Sequence, residues 1–161
     1  MNLQKLYDMQ RELDEKIESQ HGLIKENLVE EKILALLVEL GELANETRCF
    51  KFWSVKPPAE RNVILEEYVD GVHFILSLGL TFGYGEVSRG IAGQAESLTG
   101  QFNIVYHLVS IFRNDVSEEN YNVLVDSYMQ LGEMLGFSWE EVEEAYFAKN
   151  KVNHERQEQG Y

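Results

Sequence analysis

The chain has 161 residues, with 28 acidic and 14 basic side chains, for a formal charge of −14 with histidines neutral. That balance leaves no basic patch to neutralise phosphates, which argues against nucleic acid or an anionic membrane surface as a partner. A hydrophobic fraction of 44% and an aromatic fraction of 11% exclude a disordered acidic tail, and the length suits one domain over residues 1–161.

The periodicity is helical almost throughout. Leu3, Leu6, Met9, Leu13 and Ile17 mark a first amphipathic helix that ends near His21–Gly22. A second helix is predicted from about Leu28 to Thr47, followed by a loop over 48–59, because Pro57 and Pro58 stop a helix before them. A third spans about Glu60 to Leu80 and closes on the Gly83-Tyr84-Gly85 turn. A fourth, interrupted by Gly90, Gly93 and Gly100, covers about Glu86 to Arg113. Ser117 caps a fifth that ends at Gly136, and the capping box Ser138-Trp-Glu-Glu141 opens a sixth running to about Arg156. The expected fold class is all-α, a helical bundle of about six helices. Cys49 is the single cysteine, so neither an intrachain disulfide nor a thiolate zinc site is available. The apolar run Val72–Phe82 falls far short of the ~20 residues that cross a bilayer, and a cytoplasmic setting is expected.

The chemistry concentrates on two helices. Around the second, Ile33, Leu36, Leu37, Leu40 and Leu43 form a broad apolar face, while Glu42 and Glu46 fall within about 60° and 20° of Glu39. The third repeats the arrangement, with Asp70 about 60° from Glu67 and an apolar side built from Val69, Val72, Ile75 and Leu76. Carboxylates on a helix that is apolar nearly all round must be paired, protonated or metal-bound. Glu39/Glu42 and Glu67/Asp70, facing each other, would offer four hard oxygen donors, a set suited to Mg²⁺ or Mn²⁺. The competing reading makes each pair a solvated face in an acid-rich chain. Asp70-x-x-His73 has the spacing of a di-iron bundle, but no second such pair accompanies it. In the basic tail, Lys149, Asn153 and Arg156 share a helical face that can grip phosphate oxygens or complement the helix dipole. Nucleophile elbows, phosphate loops and dinucleotide fingerprints are missing.

Taken in order, Gln10 with Leu13-Asp14, Glu39-Leu-Gly-Glu42, Phe50-Lys51-Phe52-Trp53, Glu67-Tyr-Val-Asp70-Gly-Val-His73-Phe74-x-x-Ser77, and Tyr146-Phe-Ala-Lys149-Asn-Lys-Val-Asn153-His-Glu-Arg156-Gln157-x-x-Gly160-Tyr161 resemble the dimeric all-α dUTPases of the all-α NTP pyrophosphatase superfamily. The resemblance implies hydrolysis of dUTP to dUMP and pyrophosphate, lowering the dUTP pool and supplying dUMP, with dUDP as a second candidate substrate. Glu39, Glu42, Glu67 and Asp70 would hold two or three Mg²⁺ ions, with Mn²⁺ as a substitute, and Glu39 would also orient and deprotonate the attacking water. Phe74 would stack on uracil, Gln10 and Trp53 would belong to the base pocket, and His73 would contact the deoxyribose. Lys149, Asn153, Arg156 and Tyr161 would hold the phosphate chain, while Asp14, Lys51 and Ser77 fall in the same substrate-binding motifs.

The chain departs from the family pattern in having Asp14 where Asn is common, Phe50 and Phe52 where Trp is common, and Ser54 where Lys is common. An Asn offers a uracil edge both donor and acceptor, an ionised Asp only acceptors. An acceptor there could instead favour the cytosine amino group, so a related pyrophosphatase acting on dCTP is the nearest alternative. A non-catalytic helical interaction protein is the alternative of a different class.

The fourth helix carries Ile91, Phe102, Ile104, Val105, Leu108, Val109, Ile111 and Phe112, with small residues Gly90, Gly93 and Ala95 near its start. Together with the resemblance, this predicts a homodimer with an apolar interface above roughly 2,000 Å².

Overall fold

A computed structural model describes residues 3–23, 27–85 and 93–161. Six helices follow one another: α1 (Leu3–Gln20), α2 (Val29–Thr47), α3 (Arg61–Phe82), α4 (Leu98–Asn114), α5 (Glu118–Met134) and α6 (Trp139–Glu158). No strand occurs among the described residues. No described helix is long and apolar enough to cross a membrane.

The central element is α3, which packs against α1, α2, α5 and α6, while α4 pairs with α5 and α2. Its position explains its composition. Ten of its residues are buried, among them Tyr68, Val69, Val72, Ile75, Leu76 and Leu78. A helix surrounded on most sides needs apolar groups on most sides. It stops at Gly83, whose left-handed φ of 76° lets its N–H reach back to Leu80 O and whose lack of Cβ makes that conformation cheap. The α2–α3 connection begins with Arg48 at φ 58°, a cost that its guanidinium offsets by donating to Ser54 Oγ (2.6 Å) and Lys56 O (3.2 Å). Ala59 N donates to Glu46 O at 2.9 Å, closing the loop onto the end of α2.

Caps set the later boundaries. Ser117 Oγ accepts from Asn120 N at the start of α5, and Ser138 with Glu141 forms the full capping box of α6. Arg61 locks that corner by donating to Gly136 O at 2.7 Å and to both Glu141 oxygens at 2.8 and 2.9 Å.

The fourth helix differs from expectation. Residues 93–97 are not helical, and α4 begins at Leu98, where Ser97 Oγ accepts from Gly100 N at 3.0 Å. Expected positions 86–92, including Gly90 and Ile91, lie outside the described residues. The buried Gln101 anchors the entry by accepting from Ala95 N at 3.0 Å and donating to Ser127 O at 2.9 Å. The apolar face of α4 is also used differently. Phe102, Val105, Val109 and Phe112 are buried within this single chain, joining α5 and α3 in the core, so these four are not available to a partner. Ile104, Leu108 and Ile111 are only partly covered.

Candidate active site

Where α2 passes α3, Glu39, Glu67 and Asp70 each place one carboxylate oxygen within 4.8 Å of the other two. The seams responsible are simple. Leu36, Leu40 and Leu43 of α2 are fully buried against α3, and their spacing turns Glu39 to the margin of that contact. Glu42 is exposed at the same margin and is not one of the three clustered groups, yet its charge acts on both Glu39 and Glu67. Burial pushes the Glu39 carboxyl up to about 7, with the negative charges of Asp70, Glu42 and Glu67 adding to it. Burial and the neighbouring acids also raise Glu67. Burial raises Asp70, even though Lys149 pulls the other way.

Lys149 on α6 is the counter-ion, 2.8 Å from Asp70 Oδ2 and 3.1 Å from Glu66 Oε1. Burial alone would lower its ammonium, but these two carboxylates more than offset that and leave it raised.

Next to the cluster lies a cavity of about 430 Å³ between α1, α2, α3 and α6. Its walls include Gln10 and Asp14 from α1, Lys32 and Glu39 from α2, Asp70, His73, Phe74 and Ser77 from α3, and Lys149, Asn153, Arg156 and Tyr161 from the last helix and terminus. One end is thus carboxylate and cationic, the middle aromatic, and the far end a polar network. The Arg156 guanidinium stands 5.2 Å from the Tyr161 ring, within cation–π range.

That network has a definite polarity. Gln10 Oε1 accepts from Tyr146 O–H at 2.7 Å and lies 2.7 Å from His73 Nδ1, which must therefore carry the hydrogen. Gln10 Nε2 then donates to Asp14 Oδ1 at 2.8 Å, and Ser77 O–H donates to Asp14 Oδ2 at 2.7 Å. His73 stacks on Tyr146 at 4.1 Å and is pushed down to about 3 by burial, and further by the Lys149 charge, so it is a neutral imidazole. Its buried Nε2 is left as an acceptor with no partner among the described residues. His73 is not part of the carboxylate cluster, and the di-iron arrangement has no support in this geometry.

Of the residues singled out in the sequence, Lys51 and Trp53 do not line the cavity. Lys51 Nζ donates to Asn45 Oδ1 at 2.6 Å, and Trp53 is 64% exposed, touching Phe50 and Phe52 edge-on. Two further residues belong to the site: Tyr146, which opens the C-terminal motif but had no role assigned from sequence, and Lys32, which sequence reasoning passed over. Tyr146 orients Gln10 and His73. Lys32 lines the cavity seven residues before Glu39, about 20° away on the wheel, a signal the acidic pattern overshadowed.

The donor set fits a hard divalent cation. Carboxylate oxygens alone converge, burial and then their mutual repulsion push Glu39 up to about 7, and no thiolate or imidazole stands among them.

Comparison with known proteins gives one assignment. The chain matches the family described as dUTPase over residues 2–161, its whole length but for the first residue. A search of curated proteins finds no match.

Proposed function

The chain belongs to the dUTPase family, enzymes that hydrolyse dUTP, and we propose that it cleaves dUTP to dUMP and pyrophosphate using Mg²⁺ held by Glu39, Glu42, Glu67 and Asp70. The observation that carries this reading is the convergence of three carboxylates, two of which line one end of a cavity whose opposite end is a hydrogen-bonding network around Gln10 and Asp14. Bound divalent ions, two or three in number and replaceable by Mn²⁺, would offset triphosphate charge and make water a stronger nucleophile.

The protein's own groups do the rest. Glu39, ionised once bound cations offset the neighbouring acids, would orient the attacking water and accept its proton. Lys149, Asn153 and Arg156 face the phosphate chain, and Lys149 exchanges part of its hold on Asp70 for phosphate oxygens. The unpartnered His73 Nε2 accepts a hydrogen bond from a deoxyribose hydroxyl. Phe74 supplies the face on which uracil stacks. Water is kept from the base by Leu13, Ile17 and Leu28 on the same walls.

We also propose a homodimer. Leu34 and Val38, 62% and 49% exposed, form an apolar strip on α2, next to the partly covered side of α4. Exposed Phe52, Trp53 and Val55 extend apolar surface beyond it, and in a dimer Trp53 and Lys51 would be free to approach a site other than their own.

A nucleotide panel of dUTP, dUDP, dCTP, dTTP and UTP, with product identification and Mg²⁺ present or chelated, tests the reading. Release of dUMP and pyrophosphate from dUTP, only with the cation, is expected. Turnover of another nucleotide in preference to dUTP would contradict it.

A further inference from the structure

Asp14 offers the far end of the cavity acceptors only, and the structure holds a donor one helix away. Lys32 lies in the wall of the same cavity with its side chain only 14% exposed. Its ammonium has three N–H groups. Thr81 Oγ1 takes one at 3.0 Å, whereas Glu18 Oε1 at 3.7 Å and Asp14 Oδ2 at 4.0 Å lie beyond hydrogen-bond length. Those two carboxylates balance its charge as ion-pair partners, and N–H groups not used by Thr81 are left to meet a ligand in the cavity.

The order of groups is informative. Gln10 Nε2 stands 2.8 Å from Asp14 Oδ1, and Lys32 stands on the Oδ2 side. Across the three residues the protein therefore presents donor, acceptor, donor. The Watson–Crick edge of uracil presents the complement: O2 accepts, N3–H donates, O4 accepts. Cytosine presents two acceptors and a donor, so its N3 lone pair would meet the Asp14 carboxylate head-on. Position along α3 fixes the direction. Gln10 is tied to His73 and Lys32 to Thr81, eight residues further along α3 from Asp70, so Lys32 stands further from the carboxylates than Gln10 does. Since the triphosphate faces the carboxylates and O4 is the base atom remote from the sugar, Lys32 meets O4 and Gln10 meets O2.

We propose that Lys32 is a specificity-determining residue that donates to uracil O4, with Asp14 accepting from N3–H, and that together they select uracil over cytosine. Thymine shares that edge and is not discriminated by it. The inference rests on the dUTPase reading above.

The experiment measures kcat/KM for dUTP and dCTP with the unaltered enzyme, Lys32→Met and Lys32→Arg. Turnover of dUTP by the unaltered enzyme checks the activity itself; the ratio between the two nucleotides checks Lys32. Lys32→Met is expected to shrink the dUTP:dCTP ratio by on the order of 10- to 100-fold, the equivalent of one hydrogen bond to a charged group, mainly through KM for dUTP. Lys32→Arg, which keeps a donor, is expected to restore most of it. An unchanged ratio in Lys32→Met overturns the proposal while leaving the activity standing. Should Lys32→Met not fold, calorimetry on the unaltered protein decides. Tighter binding of dUMP than of dCMP or 4-thio-dUMP supports the contact, and equal affinities overturn it.

Discussion

Tyr68 and Tyr128 donate their hydroxyl hydrogen bonds to each other's backbone carbonyls, at 3.1 and 2.7 Å, with their rings stacked 4.8 Å apart. The exchange ties α3 to α5, and each hydroxyl end rests where the opposite helix has a glycine: Gly132 under Tyr68, Gly71 under Tyr128. A Cβ at Gly71 would collide with the Tyr128 hydroxyl and ring carbons. Gly71→Ala is therefore expected to destabilise the fold by about 1–3 kcal/mol, as overpacking of a tight contact does, despite the better helix propensity of Ala. Urea denaturation measures it; an unchanged or raised midpoint would contradict the contact. Because Gly71 follows Asp70 directly, the same variant should also lose activity.

The carboxylate cluster makes stability depend on pH in a defined direction. The Glu39 carboxyl is pushed from its ordinary 4.5 to about 7 in the folded protein. Between those values the folded state binds more protons than the unfolded state, so this contribution is full below pH ~4.5 and is lost as pH rises to about 7. Glu67 and Asp70 act in the same direction. The melting temperature of the chelated protein minus that of chelated Glu39→Gln is expected to fall across this window. A flat difference would mean that Glu39 does not feel its neighbours.

Phe74 is half-buried in the cavity wall, one residue after His73. Phe74→Ala is expected to weaken dUTP recognition by ~1–3 kcal/mol, read as a rise in KM with a smaller change in kcat. A loss confined to kcat would move Phe74 from the base to the reacting phosphates.

Much of this architecture could be read before any coordinates, and the failures have physical causes. The three caps at Ser117, Ser138 and Gly136 announce themselves because capping depends on local residues alone. The beginning of α4 does not, since its apolar period runs on past a break that depends on Gln101 reaching Ala95 and Ser127. The carboxylate pairs are legible from spacing, because a helix converts i,i+3 into a shared face. The tautomer of His73 is not, because it depends on a chain of contacts through Gln10 and Tyr146 that joins three helices. Phe102 illustrates the limit of apolar counting: an apolar position signals burial but not whether its own chain or a partner covers it.

The proposed dimer gives a direct expectation for α2. Val38 is 49% exposed, so Val38→Asp should leave a single chain folded while placing an unpaired charge in the interface. Sedimentation at micromolar concentration is expected to show two chains for the unaltered protein and one for the variant. A single-chain mass for the active, unaltered enzyme would contradict the assembly.

The most direct test of the central claim is pyrophosphate release from dUTP as Mg²⁺ is titrated, run in parallel on the unaltered enzyme and on Asp70→Asn. The account predicts saturation with the cation, complete and reversible loss on chelation, and a loss of more than roughly 100-fold in Asp70→Asn, because several kcal/mol of transition-state charge stabilisation depend on the carboxylate set. Chelated enzyme, or folded Asp70→Asn, turning over dUTP at the unaltered rate would contradict it.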